Sequence, residues 1–152
     1  MSSWPISKVL LLEILADHIT DSFVTQLVWE RLEYKANGLS DGTWLAGENT
    51  PCDWSKAFPV APRIIAERKA SVHLTRSISK KNKQLLKQRL DFTGYRIDEL
   101  YPRRTRRATA VNWLLAWLED SNEELLEVGP LPELLPAPSD PLRGHPGDLP
   151  IN

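Results

Sequence analysis

Four arginines crowd into five positions of "YPRRTRRATAVNWLLAWLED": Arg103, Arg104, Arg106 and Arg107. Guanidinium forks hold phosphate or carboxylate in bidentate geometry. Pro102 marks a helix start, whose unpaired N–H groups favour the same ligand class. Without an anion the placement is unfavourable, since each exposed cation in a first turn costs about 0.3 to 1 kcal/mol against the helix dipole. Two sources of compensation are open: internal salt bridges to Asp98, Glu99 and carboxylates of the acidic amino-terminal helices, or an anion from outside. The external source defines a candidate partner or anion site of Arg103, Arg104, Arg106 and Arg107. Lys80, Lys81, Lys83 and Lys87 extend it if their helix lies alongside, and Trp113 and Trp117 are recognition-type aromatics on the arginine helix.

Other chemistry finds little footing. His18, His73 and His145 are scattered, and none has metal-ligand spacing. Glu13 and Asp17, four apart, read as one solvated helix side. Cys52 is the single cysteine, and neither a Gly-rich phosphate loop nor a GxSxG elbow is present. No catalytic residue, cofactor or metal is expected, and the reading leans away from an enzyme.

The net charge of -1 conceals a strong polarity. Residues 63–107 hold fourteen Lys and Arg against four carboxylates, whereas residues 108–152 hold Arg143 against eight. Overall pI therefore says little about the basic middle. The one cysteine fits a cytoplasmic or stromal setting better than secretion, and no apolar run nears the roughly 20 residues of a membrane span.

The elements that must position these groups follow from periodicity. A first helix is expected over about Ser7 to His18, and a second after Asp21, a good N-cap, through "SFVTQLVWERL", paired as an antiparallel hairpin. "LEYKANGLSDGTWLAG" suits a β-hairpin, and "TPCDW" a helical turn capped by Thr50. "ASVHLTRSI" alternates like a strand. Ser79 then caps a basic helix, "KKNKQLLKQRL", with Leu85, Leu86 and Leu90 inward. Expected is a mainly α (α+β) domain over residues 1–120, a bundle of four to five helices with a small β element. Residues 121–152 hold seven of the twelve prolines. They should form a disordered or extended, flexible acidic tail able to screen the basic face.

The stretch "LTRSISKKNKQLLKQRLDFTGYRIDELYPRRTRRATAVNWLLAWL", with "LVWERLEY", resembles a domain-of-unknown-function family of small cyanobacterial and plastid proteins. The resemblance implies a cytosolic or stromal setting in a photosynthetic organism and supplies no catalytic residues. The function expected is a non-enzymatic adaptor or assembly-type protein docking an anionic protein surface through the basic patch. RNA or single-stranded nucleic acid is the alternative, with Phe92, Tyr95 and Tyr101 as stacking residues. A phosphorylated small-molecule binder is the second alternative. Oligomeric state is not legible.

Overall fold

A computed structural model of the chain describes residues 3–38 and 42–152. Among the described residues the architecture is α+β, with six α-helices and a two-stranded antiparallel sheet. The helices are α1 (Lys8–Leu15), α2 (Asp21–Arg31), α3 (Cys52–Ala57), α4 (Arg68–Ser77), α5 (Leu85–Leu90) and α6 (Pro102–Asp120).

α6 is the axis, and α1, α2, α4 and α5 all pack on it. Its nineteen residues span about 28 Å at the α-helical rise. Burial runs round much of its circumference, from Val111, Leu114, Leu115 and Leu118 to Ala110, Trp113 and Ala116. A helix so apolar after its first turns has to be central.

The ends of α1 and α2 follow their side chains. Ser7 Oγ accepts from Leu10 N at 3.1 Å and fixes the start of α1. Thr20 Oγ1, not Asp21, caps α2 by accepting from Phe23 N at 3.1 Å. Asp21 is the first helical residue, buried, and its carboxylate is left for another task. Between the helices Asp17 adopts φ 66°, a left-handed conformation that turns the chain sharply.

The hairpin forms as expected from β1 (Tyr34–Ala36) and β2 (Trp44–Ala46), with Lys35 opposite Leu45. Residues 39–41 at its tip lie outside the described residues. Thr50 does not cap α3; its hydroxyl donates to Glu33 O at 3.0 Å and accepts from Gly47 N, tying the hairpin to the next loop.

Two expectations fail for identifiable reasons. "ASVHLTRSI" is not a strand: all but its last residue lie in α4, where Ala70 and Leu74, four apart, are buried together with Ile78 just past the helix end. The apparent alternation came from counting Val72, which is only partly buried. The basic helix after Ser79 is also interrupted. Lys80–Asn82 form a 3-10 turn before α5, because Asn112 of α6 claims both sides of the break. Its Nδ2 donates to Asn82 O at 3.0 Å and its Oδ1 accepts from Leu86 N at 3.1 Å.

Residues 121–152 are extended and carry no helix, as the prolines require. They lie along the domain. Leu126 O accepts from Lys8 N at 2.7 Å, Leu135 N donates to His18 O at 2.9 Å, and Asn152 N reaches Ala66 O at 2.9 Å.

Candidate functional site

The first turns of α6 face the turn between α1 and α2, and opposite charges meet there. Arg103 donates from Nη1 and Nη2 to the two oxygens of Asp17, each at 2.7 Å, and from Nε to Asp21 at 3.0 Å. Arg107 donates from Nη1 to the other Asp21 oxygen at 2.7 Å and from Nη2 to Ile14 O at 2.9 Å. Neither arginine side chain is more than 1% exposed.

The tail closes this cluster. His145 Nε2 lies 2.9 Å from Asp17 O, a carbonyl that can only accept, so this nitrogen donates. Nδ1 then lies 4.0 Å from Asp17 Oδ1 and 3.7 Å from Asp148 Oδ2. The Asp148 carboxylate also accepts from Asp21 N at 2.9 Å and Ser22 N at 3.2 Å, so it serves the open start of α2.

Burial by itself would raise the Asp17 carboxyl. The Arg103 hydrogen bond and the charges of Arg107, Arg103 and His145 outweigh it and hold the group below the ordinary carboxylate value. Arg103 is subject to the same contest in mirror image: burial opposes its charge, and Asp17 and Asp21 more than restore it. Both ions are therefore charged. Such a cluster stabilises chiefly because breaking it strands a buried charge.

This geometry corrects the expected anion site at two of its four arginines. Arg103 and Arg107 are buried against the chain's own carboxylates and present nothing to a partner. Arg104 is partly buried, with Nε 3.4 Å from Asp17 Oδ2 and its guanidinium over the Tyr101 ring. Arg106 points elsewhere, donating to Ile65 O at 2.8 Å, Ala66 O at 3.3 Å and Asn152 O at 2.6 Å. Of the two tryptophans, Trp113 is 7% exposed and donates from Nε1 to Ser77 Oγ, so it is a core residue. Trp117 is partly buried beneath the Arg31 guanidinium.

The lysines separate as well. Lys81 lies 3.8 Å from Asp120, and Lys80 is exposed on the 3-10 turn. Lys83 and Lys87 come together on a groove of about 570 Å³ between α5, α6 and the loop after α5. Leu86, Phe92, Tyr95, Leu100 and Ala108 give its apolar surface, and Thr105 and Thr109 belong to the α6 side. No Asp or Glu among the described residues lines it. The ammonium of Lys83 donates to Thr75 O at 2.8 Å, which fixes it at one end. In the segment after α5 apolar side chains remain in water: Leu100, in the groove lining, is 53% exposed, and Ile97, three residues before it, is 93% exposed.

The internal source that the sequence left open, carboxylates from the amino-terminal helices, is the one used by Arg103 and Arg107, but sequence reasoning did not single out Asp17 or Asp21, and it gave His145 and Asp148 no part in the cluster. A signal existed in the excess of carboxylates over residues 1–62, opposite in sign to the basic middle. Asp21 was hidden by its suitability as a cap.

A family model described as a domain of unknown function, DUF1823, matches residues 5–119. A solved solution NMR structure is 41% identical to this chain, with a TM-score of 0.67; the match covers 80% of this chain and 100% of that one. A search of curated proteins gave no match.

Proposed function

The chain belongs to the family described as a domain of unknown function, DUF1823, and we propose that it is a non-enzymatic adaptor whose groove between α5 and α6 docks an acidic segment of a protein partner. The observation carrying this reading is the groove's composition: two lysines over an apolar floor, with no carboxylate in the lining. An acidic segment with apolar anchors complements both features. Covering Ile97 or Leu100 contributes on the order of 1.5 to 3 kcal/mol per side chain when burial is complete. Lysine-carboxylate pairs at the rim add about 0.2 to 1 kcal/mol each and mainly set orientation and association rate.

Nucleic acid is less favoured in the same groove. Phe92 and Tyr95 pack edge to face at 5.1 Å, and Tyr95 donates its hydroxyl to Leu15 O at 2.9 Å. Rings engaged this way offer little face for a base. The setting we propose, cytosolic or stromal in a photosynthetic cell, rests on the sequence resemblance of residues 74–118. Among the described residues no helix is long and apolar enough to cross a membrane.

Fluorescence anisotropy tests the proposal with a labelled peptide of alternating Glu and Leu, and with a single-stranded oligonucleotide of equal charge. The wild-type chain should bind the peptide, Lys83→Glu/Lys87→Glu should abolish binding, and Ile97→Ser should weaken it. Peptide binding indifferent to the charge reversal would overturn the proposal, as would preference for the oligonucleotide.

A further inference from the structure

Next to the groove, and sharing Thr75 with it, lies a second concavity of about 290 Å³ between α4 and α6. Its lining is Arg68, Ser71, Val72, Thr75, Arg76 and Arg106, with no acidic side chain among the described residues. Arg68, Val72 and Arg76 are four apart and form one stripe of α4, while Arg106 enters from α6. Three guanidinium groups from two elements thus border one small space. The α6 entry offers a contrast: Arg103 and Arg107 have paired carboxylates, and this trio has no carboxylate side chain in its lining among the described residues.

Arg106 is held by main-chain oxygens. Ile65 O and Ala66 O are neutral peptide carbonyls, Asn152 O is the main-chain oxygen of the last residue in the sequence, and the three orient the fork. Burial, and after it the like charge of Arg68, work against the charged form of Arg106. An anion between the two cations relieves that repulsion. The rim already receives oxygen acceptors from the chain itself. Asn152 presents its main-chain oxygen to Arg106 at 2.6 Å and its side-chain oxygen to Arg68 N at 3.0 Å.

We propose that Arg68, Arg76 and Arg106 bind the phosphoryl group of a small molecule. Guanidinium forks arriving from two helices suit a tetrahedral dianion better than a flat carboxylate, which one fork satisfies. The volume is at the low end of small-molecule sites and takes a phosphoryl group with a short carbon skeleton. This site is separate from acidic-segment docking in the groove, and neither reading requires the other.

Isothermal titration with inorganic phosphate, phenyl phosphate and acetate at constant ionic strength tests it, alongside ¹H–¹⁵N NMR. Both phosphates should saturate the protein and shift amides of α4 and of residues around Arg106, with acetate much weaker. Tighter binding of phenyl phosphate identifies an organic phosphate as the ligand, and equal binding identifies the phosphoryl group alone as what is recognised. Arg76→Gln, at an exposed position, should weaken phosphate at least tenfold without changing the thermal melt, and Lys56→Gln on α3 should leave it unchanged. Absence of saturation, acetate as effective as phosphate, or undiminished binding by Arg76→Gln would each overturn the proposal.

Discussion

Arg103 and Asp17 form a two-pronged ion pair, 2.7 Å at each prong, with each side chain 1% exposed. The cations at the start of α6 thus meet their counter-charges inside the fold. Replacing either partner leaves the other buried and unmatched. Asp17→Asn and Arg103→Gln are each expected to lower unfolding free energy by about 3 to 5 kcal/mol in urea titrations. The double variant should lose clearly less than the sum of the two, because the second change removes the stranded charge.

Acid should attack the same pair. Asp17 has a folded-state pKa below its ordinary 3.8, so the folded chain binds fewer protons than the unfolded chain as pH falls. Its contribution is fully present above that ordinary value and disappears as pH drops through the lower, folded one. Circular dichroism melts between neutral pH and pH 2 should show this loss, and Asp17→Asn should flatten that part of the profile from an already lower stability.

Tyr34 supplies the opposite test. It is 1% exposed, and its hydroxyl donates to Phe58 O at 2.7 Å. Burial, followed by the charge of Asp53, pushes its pKa up to about 12. Its stabilising contribution is intact below the ordinary value of 10 and lost as pH rises through the folded value. Absorbance at 295 nm should show late tyrosine ionisation in the folded chain, with Tyr34 titrating at about 12 and Tyr95, also raised by burial, above its ordinary value. Tyr34→Phe should remove its share of that late absorbance change, leaving that of Tyr95, and cost about 1 to 3 kcal/mol by leaving a buried carbonyl without its donor.

Asp148 ties the proline-rich segment to α2. Asp148→Ala removes the acceptor for Asp21 N and Ser22 N, a loss expected to cost about 0.5 to 2 kcal/mol. Faster amide exchange at those two residues, with α4 unaffected, is the measurement. Unchanged exchange there would show that the cap contributes nothing.

Apart from α4, whose short apparent alternation imitated a strand, the helices were legible wherever one residue did one job. Ser7 caps α1 as its type suggests, and the NG-containing hairpin and the proline-opened α6 lie where expected. Misreadings arose where a residue served a distant partner. Asp21 looks like a cap and is a counter-ion, Thr50 looks like a cap and is a loop tie, and Asn112 breaks a helix thirty residues earlier. Local periodicity has no access to such relations. The arginines were conspicuous from composition alone, but their direction depends on which side of α6 meets the α1–α2 turn. Side chains one turn apart, Arg103 and Arg107, share a face that could be core or solvent until the neighbour is known. The pocket of Arg68, Arg76 and Arg106 escaped notice for the same reason, since its third member comes from another helix.

The cluster at the entry to α6 draws on residues 17–21, 103–107 and 145–148, and every arginine–carboxylate pair in it joins positions more than eighty apart. Contacts that distant need long loops closed first, and the chain entropy lost in closing them precedes any attraction they return. Assembly of this domain should therefore be governed by topology at that junction: helices form early, and the ionic lock clicks shut late, after the polypeptide has travelled nearly its full length.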